Sequence, residues 1–426
     1  MSDGLEMKIN EIRKYMHKMR FRYWKAKNKQ EKGQLLDEME AVTGLHRESI
    51  IRLINGELAR RPRRRQRGRF YGPEIDDAVR VIARSLDYPF AERLKPNLVW
   101  LAGHLKKHNE VVIEAETLEK LERVRVSTLQ RILKRIGRSS PRIAHRKANR
   151  RNIKGISIRR IAWDEPQPGH FEVDLVHHCG ESTSGQYVHT IQMLDVATGW
   201  SECRAVLGRS YHVMRDGFEC MLARSPIRVL EIHPDNGSEF FTGHLLRFWQ
   251  EKVQGIEITR SRPYQKNDNR FVEENSYSQV RAYVGYSRLD TVAQTRMLNQ
   301  LLEKLWIYHN FFQPVMRLNE KIPLPDQPFR CKRIYDEAQP PFDRLCSKGP
   351  LASQTKQQLQ AFREDINPCR LRDTIDQMID QLRALPGAKD GLTEDVFLSV
   401  GDWKNSAVET ALVSSCPNDQ VYSMKQ

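Results

Sequence analysis

At about Ile158 the spacing of apolar residues changes from a helical period to alternating and continuous apolar runs, and the charge balance changes at the same place. Residues 1–157 carry 38 Lys and Arg against 19 Asp and Glu, a net of +19, whereas residues 158–426 carry 32 against 35, a net of −3. At 426 residues the chain exceeds what one compact core organises, so two to four domains are expected on size alone. The basic part fits a nucleic-acid-binding region, because neutralisation of phosphates by Lys and Arg dominates such binding. A basic surface kept for solubility is the plainer alternative. The seven cysteines (179, 203, 220, 331, 346, 369 and 416) show no C-x-x-C pair and no spaced Cys/His quartet, which argues against a zinc module and a disulfide framework and fits a reducing cytoplasm. No stretch approaches the roughly 20 apolar residues of a membrane span, and the N-terminus lacks the apolar core of a signal peptide. The expectation is a soluble protein of the cytoplasm.

Within the basic part, Gln34 to Asn55 reads as two short amphipathic helices around Thr43-Gly44-Leu45, a helix-turn-helix pattern. Its second helix, Arg47 to Asn55, would be presented to a major groove with Arg47 and Arg52 as contacts; a plain helical hairpin is the alternative. Seven of the ten residues from Arg60 to Arg69 are arginine (Arg60, Arg61, Arg63, Arg64, Arg65, Arg67 and Arg69), and Pro62 and Gly68 disfavour regular structure. Such a run reads as an arm tracking phosphates or a minor groove, or else as a solvated linker or targeting signal. Further on, Ser127-Thr128-Leu129-Gln130 fits a capping box ahead of Leu129, Ile132, Leu133 and Ile136. That predicts a second recognition helix, with Thr128, Gln130 and Arg131 toward DNA, preceded by a helix near Leu118 to Arg123. The domains expected are therefore 1–72, a helix-turn-helix region with its basic arm; 73–157, a second helical DNA-binding module and basic linker; 158–325, an α/β domain; and 326–426, a helical extension with a partly disordered tail.

In the third segment, strands are expected over Phe171 to Cys179, Tyr187 to Ala197 and Ser201 to Leu207. A helix over His212 to Ala223, a strand over Ile227 to His233, a helix over Phe240 to Val253, a strand over Ile256 to Ser261 and helices near Val272 to Val284 and Val292 to Phe311 follow. That order is the order of the ribonuclease-H-like α/β fold. Asp174 closes Phe171-Glu172-Val173-Asp174, Asp235 follows Ile232-His233-Pro234, and the pair Glu273-Glu274 ends Phe271-Val272-Glu273-Glu274. Three converging carboxylates suit hard divalent cations such as Mg²⁺, two of which can clamp the attacking and leaving oxygens of a phosphoryl displacement. Asn236-Gly237 would let the chain turn tightly after Asp235. Only one of Glu273 and Glu274 can face the metals, since helix neighbours point about 100° apart; Glu273 is favoured, with Glu274 left open. Arg262 and Lys266 suit scissile-strand phosphates, or simply a solvated loop. Asp195, ahead of Ala197-Thr198-Gly199, reads as a turn residue rather than a ligand, and His177, His178 and His233 read as packing or hydrogen-bonding residues.

Four ordered blocks, Asp174-Leu-Val-His-His, Met193-Leu-Asp-Val-Ala-Thr-Gly-Trp200, His233-Pro-Asp-Asn-Gly-Ser-Glu-Phe240 and Pro263-Tyr-Gln-Lys-Asn-Asp-Asn-Arg-Phe-Val-Glu273, resemble bacterial insertion-sequence transposases with a retroviral-integrase-like (DDE) core. The resemblance covers roughly residues 160 to 320, and the 37 residues between Asp235 and Glu273 suit its spacing. It implies that Asp174, Asp235 and Glu273 are catalytic, holding two Mg²⁺ (or Mn²⁺) ions to nick DNA at element ends and to activate the freed 3′-hydroxyl against target DNA. Arg270 and Phe271 depart from the pattern, where small or histidine residues are usual. The partners implied are double-stranded DNA, both terminal repeats and target, and further copies of the chain as a homo-oligomer on DNA. A structure-selective nuclease of the same fold and a DNA-binding regulator that keeps the fold as scaffold are the alternatives.

Overall fold

Asn28 accepts a hydrogen bond from the Glu31 backbone N–H at 2.7 Å, and Gly44 takes a left-handed φ of +65° with its N–H on the Glu40 carbonyl at 2.9 Å. These two residues start and stop α2 (Lys29–Thr43), the glycine because a Cβ would be strained there. With α1 (Ile9–Lys25) and α3 (Arg47–Asn55), α2 encloses a core of Met16, Met19, Leu35, Leu36, Met39, Ile50 and Ile54. In this computed structural model the described residues are 9–56, 70–137, 165–234, 240, 242–260, 272, 276–324, 327–349, 351–389 and 394–405. Contacts divide the chain once, between Phe70 and Tyr71.

The second unit begins with α4 (Pro73–Ser85), α5 (Ala91–Lys107), α6 (Ala115–Arg123) and α7 (Val126–Ile136). These helices pack on one another through Ile75, Val79, Ile82, Leu94, Leu98, Leu121, Leu129 and Ile132. They are also tied to much later residues: Asn97 Nδ2 donates to the Ala338 carbonyl at 2.9 Å, Gln313 Nε2 donates to the Leu86 carbonyl at 2.9 Å, and His104 Nε2 lies 2.8 Å from the Ile366 carbonyl. The capping box expected at Ser127 does not form. The Arg125 carbonyl accepts from both Thr128 and Leu129 N–H groups at 2.9 Å, which starts α7 before Ser127, and Gln130 Nε2 donates instead to Glu92 Oε1 at 2.7 Å.

The mixed α/β part is built on a five-stranded sheet of β1 (His170–His177), β2 (Val188–Asp195), β3 (Ser201–Leu207), β4 (Glu231–Pro234) and β5 (Glu257–Ile258), in the spatial order β3-β2-β1-β4-β5. The first three strands form an antiparallel meander, and β4 and β5 run parallel to β1. Between β4 and its partners come α8 (Tyr211–Arg224) and α9 (Gly243–Lys252), and after β5 the long α10 (Val292–Phe311). Helix α8 seats directly on the sheet face of Ile191 and Val206, because Gly217 has no side chain: a Cβ there would stand 2.6 Å from Ile191 Cδ1. Helix α10 runs along the edge strand β3, where Asn299 Oδ1 accepts the Ala205 N–H at 2.8 Å and Asn310 Oδ1 accepts the Ser201 N–H at 2.9 Å. Strands β4 and β5 are shorter than their apolar runs suggest, since apolarity marks burial and not backbone pairing.

Where helix is expected from residue 326, the chain instead makes a hairpin of β6 (Leu318–Leu324) and β7 (Gln327–Tyr335). Pro323, Pro325 and Pro328 leave no room for a helix across this stretch, so strand pairing is the available solution. Helices α11 (Pro341–Lys348), α12 (Ser353–Glu364) and α13 (Pro368–Ala384) follow, the last burying Leu371, Ile375, Ile379 and Leu382. No helix among the described residues is long and apolar enough to cross a membrane.

Edge strand β3 is locked by a buried charge. Glu202 accepts Arg224 Nε at 2.7 Å, Trp200 Nε1 at 2.8 Å and Trp306 Nε1 at 2.9 Å, which joins the sheet to α8 and α10. Removing one partner of such a pair strands the other charge in low dielectric, so Glu202→Ala should cost about 3–5 kcal/mol of stability. Glu202→Gln, which keeps an acceptor for the indoles, should cost less. The midpoint of urea unfolding checks this, and equal midpoints for the two variants would contradict it.

Candidate active site

Alternation along β1 puts Glu172 and Asp174 on one face of the sheet and Val173 and Leu175 on the other. Asp174, partly buried, lies opposite Gln192 in the β1–β2 ladder. Gln192 is fully buried and donates from Nε2 to Gln279 Oε1 at 3.1 Å; Gln279 belongs to a π-helical turn, Ser276–Arg281. At the end of that turn Arg281 donates to the His177 carbonyl and, at 3.0 Å, to the Gly285 carbonyl. Burial lowers the Arg281 pKa from its ordinary value, against the opposing pull of Tyr286, Cys179 and Asp174. The turn is thus held over the sheet beside Asp174.

Glu172, 1% exposed, accepts the Val272 backbone N–H at 2.9 Å. Val272 immediately precedes Glu273 in the chain. On the neighbouring parallel strand, Pro234 stands in register with Val173, and Pro234 immediately precedes Asp235. The chain neighbours of the two other candidate carboxylates therefore both meet β1 within Glu172 and Val173, next to Asp174. Asp235, Glu273 and Glu274 themselves lie outside the described residues, as do Arg60, Arg61, Arg63, Arg64, Arg65, Arg67, Arg69, Arg262 and Lys266. Among the described residues, no group of three or more His, Cys, Asp and Glu side chains is placed to hold a metal ion. The donor that is described, the Asp174 carboxylate, is of the hard oxygen type that Mg²⁺ prefers.

On the same face as Glu172, a buried polar chain fixes β4. Thr259 Oγ1 donates to Glu231 Oε1 at 2.6 Å and so accepts from His233 Nδ1 at 2.7 Å, while His170 Nδ1 lies 2.7 Å from Glu231 Oε2. The bond to Glu231 raises the His170 pKa above its ordinary value. His233 is thus a hydrogen-bonding residue of the strand, and His178, buried with Nε2 2.9 Å from Thr190 Oγ1, is another. Asp195 closes the β2–β3 turn: its carboxylate accepts from Gly169 N–H at 2.7 Å, Thr198 N–H at 2.8 Å and Thr198 Oγ1 at 2.6 Å. Burial raises its pKa, against those bonds and Arg317. Every one of these donors comes from a turn or strand end, as a turn residue requires.

Of the DNA-contact candidates that are described, Arg52 is well exposed and pairs with Glu48 at 3.5 Å, whereas Arg47 is turned toward α2, paired with Asp37. Thr128 is partly buried; Gln130 and Arg131 are exposed, Gln130 on Glu92 and Arg131 Nε on the Ser127 carbonyl at 3.2 Å. Sequence reading missed Glu172, Gln192 and Gln279, through which Val272 and the Ser276–Arg281 turn are bonded to the sheet. Glu172 was accessible from sequence, because a carboxylate two residues before Asp174 must share its face; the two glutamines carry no local signal.

The chain is 34% identical over 299 residues to the uncharacterized protein y4rM of Sinorhizobium fredii (strain NBRC 101917 / NGR234), a match spanning 68% of this chain and 83% of that protein. The crystal structure of the catalytic core domain of BIV integrase overlaps at 18% identity and a TM-score of 0.26, over 34% of this chain and 85% of that one. No protein-family model matches.

Four buried histidines give the fold a pH dependence. Burial pushes His189 and His309 down to about 3 and His178 well below its ordinary value. A group that stays neutral when folded but binds a proton when unfolded makes stability fall with pH below about 6.5. His170 and Asp195, both raised, act in the opposite sense: the His170 contribution is complete below about 6.5 and is lost as pH rises through its higher folded pKa. Burial lowers the His104 pKa as well, so with four lowered histidines against two raised groups the urea midpoint should be lower at pH 5 than at pH 7, and the difference should shrink in His309→Phe. Equal midpoints at the two pH values would contradict the buried neutral state.

Proposed function

We propose that this chain, which belongs to the same family as the Sinorhizobium fredii protein y4rM, is a DNA transposase that nicks DNA at element ends and transfers the freed 3′-hydroxyl into target DNA. The observation that carries the reading is the meeting of Pro234 and Val272, the chain neighbours of Asp235 and Glu273, with the Glu172–Val173 step beside Asp174. The sheet order β3-β2-β1-β4-β5, with β4 and β5 parallel to β1, supports the ribonuclease-H-like assignment behind it. Asp174, Asp235 and Glu273 would hold two Mg²⁺ ions, whose charge offsets that of the scissile phosphate and of the leaving oxygen. Gln192 bonds Gln279 of the Ser276–Arg281 turn, Glu172 fixes Val272, and the Glu231–Thr259 bond holds the strand before Asp235. DNA, as terminal repeats and as target, is the substrate, gathered by the basic residues before Ile158 and bound by more than one copy of the chain.

Asp174→Asn, Asp235→Asn and Glu273→Gln keep side-chain shape but remove the charge that holds a hard cation. Each should lower Mg²⁺-dependent nicking and joining about a thousandfold, the equivalent of several kcal/mol, with duplex binding unchanged. Glu274→Gln should be mild. Cleavage and strand-transfer assays on element-end DNA, with mobility shifts on the same preparations, check this. Near-normal cleavage by Asp235→Asn would overturn the reading, and a loss confined to Glu274→Gln would reassign the glutamate.

The DNA-binding half of the proposal makes its own prediction. Replacing the seven arginines from Arg60 to Arg69 in the full chain should weaken duplex binding on every sequence, and wild-type affinity should fall by orders of magnitude between roughly 50 and 200 mM salt. Arg52→Ala should alter sequence preference instead. Affinity that is flat with salt would contradict this.

A further inference from the structure

We propose that the outward face of α1 is a binding site for single-stranded nucleic acid, with Phe21 and Trp24 stacking on unpaired bases and Lys14, Lys18 and Lys25 meeting the phosphates. The inference goes beyond the transposase reading and does not rest on it. Helix α1 carries six Lys and Arg residues and one acidic residue, Glu11, in its seventeen positions. At about 100° per residue, Lys14, His17, Lys18, Phe21, Trp24 and Lys25 fall within one arc of about 120°. All six are exposed, and the opposite side of the helix, with Met16 and Met19, is spent on the core of its own three-helix unit.

Two large aromatic rings stand in this arc at 60% and 54% exposure, which an ordinary solvated helix face does not keep. Their setting is built. The Arg20 guanidinium lies 4.6 Å from the Trp24 ring centre and is itself held by the Ile54 carbonyl at 2.6 Å and the Gly56 carbonyl, so one face of the indole is backed and the other is open. The His17 ring meets Phe21 edge-on, with centres 6.3 Å apart. Among the described residues, Lys14, Lys18 and Lys25 form no salt bridge.

The charge selects the occupant. A second copy of this face would bring like charges together, and a membrane surface would need the apolar face that Met16 and Met19 already bury. A polyanion that also offers flat apolar faces satisfies both halves of the stripe, and that is a nucleic acid. A duplex hides its base faces in the stack, whereas a single strand presents them, and rings interleaved with cations are the recurring means of binding one.

The test uses the full chain without divalent metal and measures fluorescence anisotropy on a labelled oligothymidine strand and on a labelled duplex. Phe21→Ala with Trp24→Ala should weaken strand binding roughly 30-fold or more, with duplex binding and the thermal melt unchanged. Trp24→Phe should retain most of the affinity, and Lys14→Ala with Lys18→Ala should weaken strand binding and flatten its salt dependence. Unchanged strand affinity in the double aromatic variant overturns the proposal. So does an equal loss on strand and duplex, a loss confined to phosphatidylserine vesicles, or a loss confined to self-association in sedimentation. Nicking activity is no readout here, so the outcome is separate from the fate of the transposase reading.

Discussion

A carboxylate inside a sheet protein has to be matched by donors, and the organisation around β1 follows from where Glu172 finds one. At 1% exposure its charge would be costly to keep unless bonded. It accepts a backbone N–H from Val272, one hundred residues later, which brings a distant segment across the polar face of the central strand. Once the chain is there, Gln279 can reach Gln192 and the π-helical turn can close over Asp174. A π-helical turn is poorer in geometry than an α-helix and persists where packing demands it. Here the demand is that Gln279 and Arg281 both reach the β1–β2 ladder, at Gln192 and at the His177 carbonyl.

The same logic of buried charge joins the layers elsewhere. Glu202 on the edge strand draws Arg224 and two indoles to one carboxylate, and Glu231 draws Thr259 and His170. Each is a polar group whose partners come from different elements, so each fixes how those elements meet, which apolar packing alone leaves freer. Such networks are costly if half satisfied. That cost is a physical reason for the sheet to have one arrangement rather than several.

What the sequence disclosed and what it concealed divide along this line. Strand Ser201–Leu207 and helix Val292–Phe311 are legible to the residue, because Cys203, Ala205 and Leu207 alternate in the one while Leu298, Leu301, Leu302 and Leu305 recur at helical spacing in the other, and Thr291 and Gln294 cap the helix with a reciprocal pair of bonds. Asp174 is legible as the polar interruption of an apolar strand, and Gly44 as a turn. Strand Gln327–Tyr335 was concealed behind the helical reading of the stretch from residue 326, which Pro328 disfavours. The capping pattern at Ser127 was a false signal, since the Arg125 carbonyl is satisfied first. Val272 on Glu172 and Gln279 on Gln192 could not be read at all: they join residues about a hundred apart, and no local period encodes them. The exposed rings of α1 were concealed for a different reason, because exposure is a property of the packed unit and the sequence offers only amphipathicity.

The uneven charge acquires a physical sense on the proposed reading. Carboxylates gathered near a scissile phosphate repel it, so the domain that carries them is poorly suited to supply affinity for DNA. The 158–426 segment, at −3, carries no excess of positive charge to offset that repulsion, while residues 1–157 hold +19. Screening confines each charge to a range of about 8–10 Å at ordinary ionic strength, so basic residues can hold the backbone without perturbing carboxylates farther away than that. Binding and chemistry are then carried by different stretches of one chain, even though α5 of the basic stretch is bonded to the later one through Asn97 and Ala338. A single acidic cleft asked to do both would have to weaken one to gain the other.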